Sequence, residues 1–360
     1  MAQRVINELD LLCKLGSGVF GEVWRAEMKP HGIVAVKKIR RTVAERLGLS
    51  VWTEIRDHLL KEAESLKKAQ HRHVVQVHSV HWDESSDHVY IVTELCDSSL
   101  ADRINDGPLP IGDAFLFMSH ILLGLNALHG QGMLHRDVKP SNVLILGADA
   151  KLADFGLATD ELRNGYGTGI SYAPHRAPET FRGGFTSTKT DIWAVGMTAY
   201  RMLNGDAWYA REMCRLGVFE EGEGEPDFSA LCSPSFAPAL TWMPHIPEAW
   251  RRFVKKALAF DSARRYTDAS AMLTALQGMN LPDDVGWACV HKGQSICWKR
   301  VREGGRHELV VWNDWTSIDQ SFEILTQSPD GTGRRVLRRG EGGQSQVLSD
   351  LSDFFCSRSK

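Results

Sequence analysis

His135-Arg136-Asp137-Val138-Lys139-Pro140-Ser141-Asn142 stands between a helical stretch and the apolar run Val143 to Leu146, and Asp154-Phe155-Gly156 follows. In chain order these segments supply Asp137, Lys139, Asn142 and Asp154. Phosphoryl transfer from a nucleotide needs such a set. A carboxylate orients the attacking hydroxyl, oxygen ligands hold Mg²⁺, and a cation balances developing charge. Singly, each residue has a duller explanation, since Asp and Asn are common turn formers. The whole set in this order and spacing points to chemistry.

Two further features extend the constellation. Gly16-Ser17-Gly18-Val19-Phe20-Gly21-Glu22-Val23 is a G-x-G-x-x-G-x-V run whose glycines let backbone N–H groups approach a polyphosphate. By itself it reads equally well as a Gly-rich hairpin turn. A strand-like stretch, Glu22 to Ala26, follows it where a dinucleotide fold would need a helix. In the strand-like Val34-Ala35-Val36-Lys37, period two puts Ala35 and Lys37 on one face. A lone strand lysine is ordinarily a solvated edge. However, Ile55, Leu59, Leu66 and Ala69 fall at helical spacing with Glu62 inside their stripe, and a carboxylate in an apolar face is costly unless paired. Lys37 is its natural partner, whereas Glu64 lies off the stripe.

The elements that must position these groups change character along the chain. Residues 9–40 read as β-hairpins, 50–70 as helix, and 73–96 as strands carrying Val74, Val75, Val77 and Val89 to Val92. Cys96 to Leu100 is a joint, and the pattern is then mostly helical to about Met279. Leu281-Pro282-Asp283-Asp284 reads as a linker. Residues 285–360 read as a small β-rich module with Trp287, Trp298, Trp312 and Trp315 and a terminal helix near Leu348 to Phe355. The 360 residues are 43% hydrophobic and 24% charged with a net charge of -3, which argues against a nucleic-acid-binding or disordered chain. The 7 scattered cysteines contain no C-x-x-C pair, which fits a reduced, cytoplasmic setting. The first residues lack a signal-peptide pattern. No stretch reads as a membrane span, and Phe115 to Leu128 is expected to be a buried helix.

From about Asn7 to Met279 the chain resembles eukaryotic-type protein kinases, on the motifs just quoted together with Ala177-Pro178-Glu179 and Asp191-Ile192-Trp193-Ala194-Val195-Gly196. The resemblance implies an α+β, bilobal kinase fold. A small β-rich N-lobe (about 7–95) and a larger α-rich C-lobe (about 97–279) would be followed by the module at 285–360. It implies ATP and Mg²⁺ as cofactors, with Mn²⁺ an acceptable substitute. Gly16, Gly18 and Gly21 match the phosphate loop, and Val23, Ala35 and Leu144 match the adenine sandwich. Thr93 matches the gatekeeper, and Glu94 and Cys96 match the adenine-binding backbone. Lys37 and Glu62 match the active-state ion pair, Asp137 the catalytic base and Lys139 the γ-phosphate contact. Asn142 and Asp154 match the metal ligands. Arg265 is placed to pair with Glu179, and Asp191 to anchor the catalytic loop. Leu66, Val77, Phe155 and His135 match a packed column, so His135 is structural.

Lys139 within Asp-Val-Lys-Pro-Ser-Asn is the serine/threonine form, and the Ala-Pro-Glu segment favours protein substrates over small molecules. Arg136 before Asp137 resembles an arginine that pairs with a phosphorylated activation loop. The candidates are Thr159, Tyr166, Thr168, Ser171 and Tyr172, with autophosphorylation expected at Thr168 or Ser171. Asp160 or Glu161 offer unmodified charge instead. The stretch before Ala177 departs from the family, with Tyr172 in place of its threonine and His175 in place of its tyrosine. In the module the tryptophans read first as core, and the alternative is a platform for a docking partner. Arg334, Arg335, Arg338 and Arg339 are either a solvated edge or a site for an acidic partner. Competing readings of the whole chain are a pseudokinase scaffold, or a small-molecule phosphotransferase of related fold.

Overall fold

The computed structural model describes residues 3–6, 9–18, 21–40, 56–57, 60, 67, 70–154, 173–181, 183, 186–219, 227–280 and 286–357. The N-terminal strands are β1 (Gln3–Ile6), β2 (Leu9–Gly18), β3 (Gly21–Met28), β4 (Gly32–Arg40), β5 (Val77–Asp83) and β6 (His88–Glu94). They form one antiparallel sheet in the order β1-β2-β3-β4-β6-β5. Alternation decides its faces. Val34 and Val36 of β4 turn into a core with Leu9, Leu11, Ala26, Tyr90 and Val92, which leaves Ala35 and Lys37 on the other face.

The β2–β3 turn explains one glycine. Gly21 has φ +143, and a Cβ there would stand 2.1 Å from the Lys38 carbonyl oxygen, whereas Gly16 faces open space. Gly21→Ala is expected to cost roughly 1–3 kcal/mol by forcing strained backbone against β4. Gly16→Ala should cost less, and denaturant midpoints of the two variants check the difference.

Next come β7 (Ser98–Ser99), α1 (Leu100–Ile104), α2 (Ile111–Gly130), β8 (Val143–Leu146) and β9 (Asp149–Leu152), with β7-β8-β9 pairing as a small sheet. Val74 and Val75 are not strand, contrary to the sequence pattern. Their backbone is drawn to β9 instead: Leu152 N–H donates to His73 O at 3.0 Å, and Val75 N–H to Leu152 O at 2.8 Å. Gly124 of α2 permits this, because a Cβ there would meet His73 O at 2.3 Å. Further along, the described α-helices include α3 (Pro178–Phe181), α4 (Thr188–Asn204), α5 (Asp206–Arg215), α6 (Phe236–Ala239), α7 (Glu248–Ala257) and α8 (Ala269–Gln277). Every residue of α4 from Asp191 to Tyr200 is buried, as its apolar run requires.

The expectation that no stretch is long and apolar enough for a bilayer needs correction. Helix α2 has 20 residues and a mean hydropathy of 1.5, enough to pass by length and composition. Its stripe of Ala114, Met118, Ile121, Leu122, Leu125 and Leu128 is buried in the protein, which marks it as a core helix.

The chain divides into two compact units. One holds Met1–Ser99, His120–Ala194 and Asp268–Ser270; the other holds Leu100–Ser119, Val195–Thr267 and Ala271–Lys360. The second unit therefore contains both helices of the α-rich part and the C-terminal module. That module is an antiparallel meander of β10 (Ala288–Lys292), β11 (Ser295–Val301), β12 (His307–Asn313), β13 (Asp319–Gln327) and β14 (Arg334–Gly343), capped by α9 (Gln344–Ser357). Helix α9 begins earlier than its apolar residues suggested. Trp287, Trp298, Trp312 and Trp315 are all buried, so they are core and not an exposed platform. Trp315 stacks on Trp208 of α5 at 5.9 Å. Arg211 of α5 donates to Trp315 O and to Gln344 Oε1, each at 2.9 Å.

Candidate active site

A buried carboxylate, a tight turn and one backbone bond place the catalytic-loop side chains. Asp191, fully buried at the start of α4, accepts from His135 N–H at 2.9 Å and Arg136 N–H at 2.7 Å, and from His129 Nε2 at 2.9 Å. One carboxylate thus holds two successive amides, which fixes the loop entering Asp137. Arg136 is accordingly left-handed, with φ 69. A 3-10 turn, Pro140–Asn142, leads into β8. On the far side, Ala153 N–H donates to Asn142 O at 2.8 Å, tying the turn to the residue before Asp154.

The expected residues converge in a trio and a pair. Lys139 Nζ lies 2.7 Å from Asp137 Oδ2, and Asn142 Nδ2 donates to the same oxygen at 2.8 Å and to Asp137 O at 2.9 Å. Lys37 Nζ lies 2.7 Å from Asp154 Oδ1. Asp154 adopts φ 56, a left-handed backbone just past the end of β9. Burial is the largest single influence on its carboxyl and pushes it up, but the Lys37 ammonium, Lys139 and His135 together outweigh that push. The net is a carboxyl held below the usual carboxylate range. Glu62, the expected partner of Lys37, lies outside the described residues, as do Phe155, Leu66 and the segment containing Thr159, Tyr166, Thr168, Ser171 and Tyr172.

The expected nucleotide residues are distributed over the first unit. Gly16 and Gly18 end β2, Gly21 begins β3, and Val23 sits opposite Lys37 in the β3–β4 register. Ala35 lies opposite Thr93 between β4 and β6, and Leu144 lies opposite Ser99 in the small sheet. Val23, Ala35, Thr93 and Leu144 are all half-buried. Glu94 is fixed by Lys151 Nζ and Gln76 N–H, each at 2.8 Å from its Oε1. Burial, reinforced by Glu94, pushes the Cys96 thiol up to about 12.

His135 is wholly buried, and burial holds its imidazole below the ordinary value, as suits a packing residue. In the second unit, Arg265 is buried and donates to Ala259 O at 2.8 Å. His175 is the residue that sequence reasoning underrated. It registered there only as a departure from the family pattern. Here it is buried, with Nδ1 3.1 Å from the Val138 carbonyl oxygen inside the catalytic loop. His175→Phe keeps the ring but leaves that carbonyl without this bond. The variant is expected to lose about 1–3 kcal/mol of stability, read from a denaturant midpoint.

The family profile for the protein kinase domain matches residues 9–277. The serine/threonine-protein kinase pkn2 of Myxococcus xanthus is 32% identical over 54% of this chain and 24% of its own length. The serine/threonine-protein kinase MAK of Mus musculus is 34% identical over 53% of this chain and 30% of its own. Calcium/calmodulin-dependent protein kinase type 1 of Macrobrachium nipponense is 28% identical over 72% of this chain and 71% of its own. The chain thus spans a third or less of the length of pkn2 and MAK. With Asp137, Lys139, Asn142, Lys37 and Asp154 gathered on this fold, and the profile covering both halves of it, the chain belongs to the eukaryotic-type protein kinase family.

Proposed function

We propose that this kinase is an ATP-dependent serine/threonine kinase that moves the γ-phosphate of ATP to a protein hydroxyl and also phosphorylates itself at Thr168 or Ser171. The observation that carries the reading is the Asp137 carboxylate, gripped by Lys139 and Asn142 on a loop pinned to Asp191.

In this reading Asp137 orients the acceptor hydroxyl and takes its proton, and Lys139 steadies the transferring phosphoryl group. Lys37 holds the nucleotide phosphates, while Gly16, Gly18 and Gly21 cover them. Val23, Ala35 and Leu144 enclose the base beside Thr93, and the backbone of Glu94 and Cys96 bonds it. Glu62 completes the ion pair with Lys37. The donor set suits a hard divalent cation. Asn142 spends Nδ2 on Asp137 and keeps its carbonyl oxygen, and Asp154 spends one oxygen on Lys37 and keeps the other. Mg²⁺, or Mn²⁺ in its place, would supply charge neutralisation on the phosphates when bound there. Lys139 and the relatives' names as serine/threonine-protein kinases support serine/threonine choice and protein substrates, and the scattered cysteines without a C-x-x-C pair are the ground for a cytoplasmic setting.

Incubation with Mg-ATP and a mixture of serine, threonine and tyrosine acceptor peptides tests the proposal. Phosphoserine or phosphothreonine is expected, with phosphate between Thr159 and Tyr172 in the enzyme's own peptide map. Phosphotyrosine alone would overturn the specificity. Absence of any transfer would turn the chain into a binding scaffold, and transfer only to small metabolites would make it a small-molecule phosphotransferase.

A further inference from the structure

The C-terminal meander has two edges, and the protein treats them differently. On β10, His291 N–H donates outward to Asp106 O at 2.9 Å. Gly107 presses on the same strand, where a Cβ would stand 2.9 Å from Cys289 O. That edge is closed. Strand β14 pairs only with β13, and among the described residues nothing bonds its outward backbone. It is long, running from Arg334 to Gly343, and nearly all of it is exposed.

Its sequence is Arg334-Arg335-Val336-Leu337-Arg338-Arg339. Val336 is 37% and Leu337 42% exposed. Arg334 and Arg339 share the single carboxylate of Glu323, Arg338 reaches Asp350 of α9, and Arg335 has no partner among the described residues. Two basic pairs therefore bracket an exposed apolar pair along an open backbone edge. The register slips opposite Ile324 and Leu325, which leaves Leu337 without a cross-strand partner. Charge alone can protect an edge from aggregation. Protection does not call for an apolar pair at the centre.

We propose that the β14 edge is a docking strand for an extended segment of a protein partner, acidic at both ends and apolar in the middle. Such a segment would add as a sixth strand, with main-chain bonds supplying affinity and the arginine pairs supplying selection. In the centred register charge opposes a second copy as the occupant. Antiparallel pairing of β14 with itself would set Arg334 against Arg339 and Arg335 against Arg338, and like charges directly opposite are destabilising. A polynucleotide offers phosphates to the arginines but no N–H and C=O ladder for the open edge.

The test uses the full chain without nucleotide, so its failure is separable from failure of the phosphoryl-transfer reading. The probe is fluorescently labelled acetyl-Thr-Glu-Glu-Val-Val-Glu-Glu-Thr-amide, followed by anisotropy. Binding tighter than about 100 μM is expected, weakened about tenfold or more when alternate peptide nitrogens are methylated. The double variant R335E/R339E should lose binding yet phosphorylate a generic peptide at an unchanged rate. Equal binding of the methylated peptide would reduce the effect to charge attraction and overturn the proposal. So would absence of binding at about 1 mM peptide. Preference for a single-stranded thymidine oligonucleotide, or a β14-dependent dimer in sedimentation, would replace the acidic segment with another occupant.

Discussion

Replacing Asp137 with Asn is expected to lower kcat by roughly 10²- to 10⁴-fold and to leave the protein folded. The substitution keeps the side-chain volume and one oxygen acceptor but removes the charge and the basicity. Lys139 and Asn142 both converge on Asp137 Oδ2, so the loss falls on the atom where the two restraints meet. The loop itself should hold, because His135 and Arg136 are pinned by Asp191 through backbone amides that the substitution does not touch. The measurement is a steady-state rate with Mg-ATP and a generic acceptor, beside a thermal midpoint. A variant with full activity would place the chemistry elsewhere, and one that melts many degrees early would show that Asp137 is structural.

Mild acid should destabilise the second unit by about 4 kcal/mol between pH 7.5 and pH 5. Two histidines there are responsible. Burial, with Arg251 and His291 nearby, lowers the His245 imidazole to about 3, and burial lowers His291 to about 4. Neither ring nitrogen of His245 or of His291 has a hydrogen-bond partner among the described residues. His245 packs against Trp298 and Phe355, and His291 against Trp315. An unfolded histidine takes its proton near pH 6.5, while the folded ones refuse it until about pH 4 or below. The unfolded state therefore binds more protons throughout that window, and stability is full above it and lost as pH falls through it. At pH 5 each histidine contributes about 2 kcal/mol to the loss. Most carboxylates titrate lower, so the early part of the decline belongs to these rings. Denaturant midpoints at pH 7.5, 6 and 5 measure it. His245→Phe should flatten the slope by about half, and a flat profile in the parent protein would sink the argument.

The catalytic core was legible in the sequence because its residues are consecutive or nearly so. Asp137, Lys139 and Asn142 lie within one loop, and local geometry alone brings them within bonding distance. Lys37 was legible in a weaker way. Its face followed from period two in β4, but the partner expected from helical spacing, Glu62, falls outside the described residues, and the ammonium lies beside Asp154. Long-range contacts were the hard part. Nothing local announces that the backbone around Val74 and Val75 will bond to β9, since that close approach needs a glycine in α2. Ser119, His120 and Asn126 interrupt the apolar run of α2, yet its mean hydropathy still reaches 1.5, so composition alone did not separate a core helix from a span. The four tryptophans could not be assigned from composition. Trp315 packs on α5, which supplies Trp208 and Arg211 from elsewhere in the sequence, while Trp287 and Trp298 pack on Phe355 of α9. His175 looked like a lapse from a motif until its bond to Val138 O was visible.

Cys96 sits where a nucleotide base is expected, and its thiol is held near 12. Covalent inhibitors act on the thiolate, and an ordinary exposed cysteine is a few per cent thiolate at neutral pH. At pH 7 a group of this acidity is ionised to about one part in 10⁵. An acrylamide warhead aimed at Cys96 would therefore find almost no nucleophile. Selective compounds for this protein should be sought among reversible binders, with Cys96 treated as a shape and not as a handle.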